Sequence, residues 1–156
     1  MIVKMGQEKS MIIDDCDYHL IKDHTWSYDG RYARSTRRTK RKYAHRLIMK
    51  ANKGQMIDHI NGDKLDNRRE NLRFCSRHQN AANMQKMRGG SSKFKGVSFD
   101  KTTQNWRAKI GFHGKSLCAG RHETQTKAAL AYNKKALELF GKFAHLNEVK
   151  NDDFTF

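Results

Sequence analysis

The stretch Ile57-Asp58-His59-Ile60-Asn61-Gly62-Asp63-Lys64-Leu65-Asp66-Asn67-Arg68-Arg69-Glu70-Asn71-Leu72-Arg73 holds an unusual concentration of oxygen and imidazole donors for so basic a chain. Residues 55–60 have the apolar, β-branched character of a strand, Asn61 to Asn71 that of a polar loop, and Leu72 to Cys75 that of a second short strand. Ser76 then suits a helix N-cap, because its hydroxyl can accept from a backbone N–H of the first turn. The helix it opens runs through Gln79, Ala81, Ala82 and Met84. The predicted order is strand, loop, strand, helix. It gathers an adjacent carboxylate and imidazole, Asp58 and His59, asparagines at 61, 67 and 71, and two more, Asn80 and Asn83, on the helix. Successive strand residues point to opposite faces, so Asp58 and His59 flank a centre instead of converging on one atom.

Hydrolysis of a phosphodiester needs a nucleophilic water, a base to deprotonate it, and positive charge at the scissile phosphate and the leaving oxygen. One His, one Asp and one divalent cation suffice. A hard cation such as Mg²⁺ prefers oxygen donors, one or two from protein and the rest from water and phosphate. An Asp carboxylate with an Asn carbonyl meets that need and leaves His59 as the base. A calcium loop is excluded: counted from Asp58, Ile60 falls where an oxygen donor belongs and Gly62 comes one position too early.

These residues, with Ala44-His45-Arg46-Leu47 before them and Asn80 after, resemble the HNH nucleases, in the subgroup found in phage and intron-borne homing endonucleases. The resemblance implies a ββα-metal fold in which Asp58 and Asn80 hold the cation, His59 is the general base and Asn71 braces the loop between the strands. An asparagine in the place of the final histidine that names the family keeps an oxygen donor. Asn67, also near the second strand, is the alternative to Asn71, and Asn83, one turn beyond Asn80, is the alternative ligand. Asn71 and Asn80 are preferred. His45 and His78 are expected to be phosphate contacts or packed surface residues.

Outward from this stretch, charge dominates. The 156 residues, enough for one ordinary domain or two small ones, carry 32 Lys and Arg against 16 Asp and Glu, a formal charge of +16 that points to a polyanionic partner. Residues 31–50 hold nine basic residues and no acid. A merely solvated surface would mix both signs, so Arg37, Arg38, Arg41, Lys42 and Arg46 are candidate DNA contacts. Before them, Ile12, Ile13, Tyr18, Leu20, Ile21 and Trp26 suggest a small strand-and-turn layer, with Asp29-Gly30 as a tight turn, and His45 to Lys50 reads as a short helix. Cys16, Cys75 and Cys118 are too few and too dispersed for a disulfide framework and are expected to be buried or half-buried; Cys75 and His78 form a CxxH without the second pair that zinc requires. No apolar run approaches the roughly 18 residues of a membrane span, and Met1 to Ser10 lacks the apolar stretch of a signal peptide, so a soluble, intracellular protein is expected.

Met87 to Lys93 has the composition of a linker. Beyond it come three strand-like runs, 94–99, 105–112 and 115–120. From Thr124 the period turns helical, with Ala128, Ala129, Tyr132, Ala136 and Leu139 near one stripe and Gly141 as the stop. Alternation places Trp106, Ala108 and Ile110 on one face and Arg107 and Lys109 on the other. Residues 91–147, through Ser92-Lys93-Phe94-Lys95-Gly96-Val97, Trp106-Arg107-Ala108-Lys109-Ile110, Ala128-Ala129, Ala131-Tyr132 and Phe143-Ala144-His145-Leu146-Asn147, resemble an AP2 DNA-binding domain. That resemblance implies a sheet lying in the major groove with a helix packed behind it. Lys95, Ser98, Arg107, Lys109 and Lys115 become candidate contacts, and the thinned arginine set implies a different or looser sequence preference.

The expected fold is α+β: an HNH domain with its strand layer and basic arm at 1–86, a linker at 87–93, an AP2-like three-stranded antiparallel sheet plus helix at 94–147, and a tail at 148–156. The expected function is a homing-type endonuclease, nicking or cutting double-stranded DNA with Mg²⁺ or Mn²⁺, as a monomer or transient dimer without membrane contact, in the cytoplasm of a phage-infected bacterial cell. The alternative is a DNA-binding regulator with an inactive HNH core. A basic RNA-associated protein is a third reading, and it leaves the catalytic set without a purpose.

Overall fold

Backbone hydrogen bonding builds ten strands and four α-helices among the residues that the structure, a computed structural model, describes: 1–6, 9–37, 40–86 and 89–150. The chain divides into two compact units, Met1–Asn80 and Ala81–Phe156.

The first unit opens with an antiparallel hairpin of β1 (Ile2–Met5) and β2 (Lys9–Ile12), followed by a single helical turn, α1 (Tyr18–Ile21). Its apolar residues had suggested a strand-and-turn layer. So short an apolar run fits either period, and the helical turn is fixed from outside, where Trp26 Nε1 donates to the Ile21 carbonyl (3.0 Å). A three-stranded antiparallel sheet follows, β3 (Ser27–Tyr28), β4 (Ala33–Arg37) and β5 (Lys40–Tyr43), in that spatial order. Asp29 Oδ1 makes the first turn of this sheet by accepting the backbone N–H groups of Arg31 (3.0 Å) and Tyr32 (2.7 Å). After α2 (Ala44–Ile48), β6 (Met56–His59) pairs antiparallel with β7 (Leu72–Cys75), and α3 (Arg77–Asn83) follows; the division between the units falls inside this helix. Ser76 and Gln79 cap α3 reciprocally: Gln79 N–H donates to Ser76 Oγ (3.2 Å) and Ser76 N–H to Gln79 Oε1 (2.8 Å). Met5, Met11, Ile13, Ile21, Trp26, Ala33, Ala44, Ile48 and Leu72 form the core, so the N-terminal hairpin is part of the same packed body as β7.

In the second unit β8 (Val97–Asp100), β9 (Asn105–Phe112) and β10 (Lys115–His122) form an antiparallel sheet with β9 central, and α4 (Gln125–Phe140) packs on it. Thr124 caps α4 by accepting the Lys127 N–H (3.2 Å). Small residues let helix and sheet close up: Ala128, Ala129 and Ala136 share a core with Phe94, Val97, Ala108, Ile110 and Tyr132. Gly96 sets the closest approach. It has a φ of +71°, and a Cβ there would lie 2.3 Å from the Tyr132 ring and 2.5 Å from the Lys109 carbonyl oxygen. The first strand therefore begins at Val97, three residues later than its apolar run suggests. Cys16 and Cys118 are exposed, against the expectation of burial, and Cys75 is half-buried. Among the described residues no helix is long and apolar enough to cross a membrane.

Candidate active site

The asparagines and aspartates of the 61–71 loop spend most of their hydrogen bonds on the loop itself. Asn61 Oδ1 accepts the Asp63 N–H (2.8 Å), Asp63 Oδ1 the Leu65 N–H (2.9 Å), and Asn61 Nδ2 donates to Asp66 Oδ2 (3.0 Å). Asn71 spans the loop's two ends, with Oδ1 accepting the Asn61 N–H (2.9 Å) and Nδ2 donating to the Asp66 carbonyl (2.7 Å). The N-terminal hairpin pins the middle: Ile12 N–H donates to Leu65 O (2.9 Å) and Asn67 N–H to Ile12 O (2.7 Å). A long polar loop is thereby made rigid beneath the end of β6.

On β6 the two neighbours go to different surroundings, as strand alternation requires. Asp58, 1% exposed, stands opposite Arg73 in register, and the guanidinium grips one carboxylate oxygen: Nε and Nη2 lie 3.0 and 2.8 Å from Oδ2. His59, also 1% exposed, turns its Nε2 toward Asn67 Oδ1 at 3.3 Å, while Asn67 Nδ2 donates to the Leu65 carbonyl (3.1 Å). That amide orientation assigns the proton to Nε2 and leaves the lone pair of the neutral ring on Nδ1. Asn71 holds the loop and Asn67 holds the imidazole, so both candidates for the bracing role are engaged, at different atoms.

Around His59 lies an aromatic cluster. The His45 ring meets it edge-on with centroids 5.3 Å apart, Tyr32 lies 6.1 Å from His59 and 4.9 Å from His45, and Tyr43 closes on His45 at 5.8 Å. His45 is 8% exposed, and its buried Nδ1 has no hydrogen-bond partner among the described residues. Burial, with the charge of His59 and Arg46 adding to it, pushes the His45 pKa down to about 3; burial and then the Lys64 ammonium push His59 to about 4, against the opposing pull of Asn67 and Asp58. Both rings are therefore neutral at pH 7. Burial also lowers the pKa of Lys64, with Asp58 opposing it. Sequence reasoning missed the place of His45 and Lys64 here. The only signal was that His45 stands in the quoted Ala44-Leu47 segment.

Among the described residues no three His, Cys, Asp or Glu side chains cluster as a metal site would require. A cation here would rest on one carboxylate, carboxamide oxygens and water, a donor set that suits a hard oxygen-seeking ion and no soft one. Asn80 is half-buried and Asn83 buried, both on α3.

The candidate DNA contacts separate into two groups. Arg41 and Lys42 on β5 are exposed; Arg38 lies outside the described residues, and Arg37 is described in its backbone alone. Arg46 is engaged elsewhere, its Nη1 on the Gln55 carbonyl (2.7 Å) and its Nη2 on the Asn52 carbonyl (2.6 Å), bracing the turn before β6. In the second unit Ser98, Arg107 and Arg121 stand opposite one another across β8, β9 and β10, and Lys109 follows on the same open face. Asp100 Oδ2 lies 3.9 Å from both Arg107 and Arg121. Lys115 pairs with Phe112, whose ring packs on Phe140 of α4, so the register puts it on the helix side. The Lys95 ammonium turns inward to the Ala82 carbonyl.

Residues 42–82 match the family described as HNH endonuclease. Protein 3.8 of Escherichia phage T7 is 33% identical over 92 residues, which are 59% of this chain and 75% of that protein. An uncharacterized HNH endonuclease of Acanthamoeba polyphaga mimivirus, L560, is 36% identical over 93 residues, 60% of this chain and 47% of that protein. No solved structure matches the chain.

Proposed function

We propose that this chain, which belongs to the family of phage T7 protein 3.8 and carries an HNH endonuclease domain at residues 42–82, is a metal-dependent endonuclease acting on double-stranded DNA. The observation that carries the reading is the buried, neutral His59, oriented through Nε2 by Asn67 so that Nδ1 is the basic atom, next in sequence to the buried carboxylate of Asp58. In this reading His59 Nδ1 takes the proton of the attacking water, and His45 and Tyr32 keep its ring from turning. Asn71 fixes the loop on which Asn67 stands. Asp58 and Asn80, with Asn83 as the alternative, would hold Mg²⁺ or Mn²⁺, which supplies positive charge at the scissile phosphate and leaving oxygen.

Arg41 and Lys42 would hold the backbone. Ser98, Arg107, Lys109 and Arg121 present a small-and-basic sheet face suited to an AP2-like role in the major groove. In this reading Arg46, Lys95 and Lys115 stand outside that contact set, which the partners of Arg46 and Lys95 and the register of Lys115 support. In this reading the enzyme is a homing-type nuclease that nicks or cuts and works in the cytoplasm of a phage-infected bacterial cell; relatives from a phage and a giant virus support that setting.

A second reading, a DNA-binding regulator with an inactive core, draws on the Asp58–Arg73 pair, because that carboxylate is already compensated without a cation. Incubating supercoiled plasmid with the full chain in Mg²⁺ and in Mn²⁺ separates the two. The nuclease reading expects nicked or linear product that His59→Ala abolishes while DNA binding persists. Intact plasmid in every divalent metal would favour the regulator.

A further inference from the structure

In the second unit, residues 93–95 run beside residues 145–150, and Asn147 ties them together. Lys95 N–H donates to Asn147 Oδ1 (2.6 Å) and Asn147 Nδ2 to the Lys95 carbonyl (3.1 Å). The backbone of Asn147 is held in turn by Asn133 of α4, whose Oδ1 accepts its N–H (2.7 Å) and whose Nδ2 donates to its carbonyl (2.9 Å). Between these clamped segments and residues 85–86 lies a cleft of about 560 Å³, within the range of small-molecule sites. Lys86, Lys93, Lys95 and Lys150 line it together with His145, against the single carboxylate of Glu148. None of the residues assigned to the sheet face or to the 58–59 site lines it.

We propose that this cleft binds the phosphate group of a nucleotide, supplied either by the DNA backbone or by a free nucleoside monophosphate. Lysines act as compact point charges, and several lining one space favour a ligand with three or more oxygens able to accept from ammonium groups. A tetrahedral phosphate has them, whereas a carboxylate has two oxygens. Leu146, 37% exposed, adds an apolar wall against which a deoxyribose can lie. The Lys95 ammonium lies 2.5 Å from the Ala82 carbonyl and is half-buried, with its pKa pushed down to about 8 by burial. An anion entering the cleft restores the charge solvation that burial removed. The site requires neither Asp58 nor His59, so it stands or falls independently of cleavage.

The test follows backbone amide shifts of residues 93–95 and 145–147 in the isotope-labelled full chain during titration with inorganic phosphate, thymidine 5′-monophosphate, thymidine and a short DNA duplex. Saturable shifts at these amides are expected with phosphate and with the monophosphate and not with thymidine. The Lys86→Gln/Lys93→Gln double variant weakens them about fivefold, as two partly exposed charge contacts do. Lys134→Gln, on the exposed side of α4, leaves them unchanged. If the duplex produces the same shifts and phosphate competes, the DNA backbone is the source; if the duplex leaves these amides still, the free nucleotide is. The proposal is overturned if neither phosphate ligand gives saturable shifts here, if thymidine acts as well as its monophosphate, or if Lys134→Gln weakens binding as much as the double variant. The last outcome would reduce the effect to the net charge of +16.

Discussion

Replacing Arg73 with methionine tests how the candidate site is held together, because it removes a guanidinium from a carboxylate that has almost no access to water. Asp58 is 1% exposed and the Arg73 side chain 13%, and Arg73 Nη2 and Nε lie 2.8 and 3.0 Å from Asp58 Oδ2. Breaking such a pair from one side costs about 3 to 5 kcal/mol, mostly from leaving the remaining charge in a poorly solvated place. The lower figure applies at the end of a short hairpin that water can reach after modest fraying, so a loss of about 3 kcal/mol is expected. For a unit of this size that corresponds to a fall in Tm of roughly 12 to 24 °C. Differential scanning calorimetry in a chelating buffer reads it directly. Asp58→Asn/Arg73→Met should recover much of the loss, because no uncompensated charge then remains. A divalent cation at 100 times its dissociation constant should return about 2.7 kcal/mol to Arg73→Met, provided that it binds Asp58 in the folded chain. A Tm within about 3 °C of the parent protein would refute the reasoning, since the pair would then contribute little to the hairpin.

Three further outcomes are expected. His45 and His59 have folded pKa values of about 3 and 4, below the unfolded value of 6.5, so the unfolded chain binds more protons between these limits. Their contribution to stability is full above about pH 6.5 and is lost as pH falls toward 4 and then 3; urea midpoints taken across that window check the sign, and a flat profile would contradict it. Gly96→Ala forces a Cβ within 2.3 Å of the Tyr132 ring at a positive φ and should cost the second unit about 3 kcal/mol in urea unfolding, with a loss below about 1 kcal/mol counting against the close-packing account. His45→Ala, which leaves a void beside His59, should lower kcat for plasmid nicking about tenfold or more with KM for DNA unchanged, while His45→Phe keeps the ring contact and most of the rate; equal activity in both variants and the parent would remove His45 from the site.

Much of the strand-loop-strand-helix order was legible because its signals are local. Ser76 and Gln79 form a cap within four residues, β6 and β7 are short strands flanking a polar stretch, and the loop between them is built from residues that bond their own backbone. The same holds for α4, where Thr124, the alanine stripe and Gly141 mark start, face and stop. Tyr18–Ile21 was misread because one helical turn is shorter than either period can resolve, and its geometry is fixed by Trp26, five residues beyond Ile21. The surroundings of His59 were illegible for a stronger reason. Tyr32, His45 and Asn67 reach it from β4's approach, α2 and the polar loop, and no spacing rule connects residues brought together only by the packing of three separate segments.

The basic residues show why composition could name a partner class but not the contact residues. An arginine or lysine in sequence carries charge and donors, but which acceptor satisfies them depends on where the chain leaves a carbonyl or carboxylate without a partner. Arg46 finds the carbonyls of residues 52 and 55, Arg69 finds Asp17 and the end of α2 at Ile48, Arg73 finds Asp58, and Lys95 finds the carbonyl of Ala82. Arg46, Arg69 and Lys95 each close a turn or a helix end inside their own unit, and Arg73 closes a cross-strand pair between β6 and β7. Lys109 instead projects from β9, the central strand of its sheet, and Arg41 and Lys42 from the edge strand β5, and all three side chains are exposed. Arg46, one of the residues of the basic run, is thus engaged at a chain reversal of its own unit. The correction is physical and specific: a basic side chain within reach of a turn carbonyl or a helix C-terminus is a structural donor first.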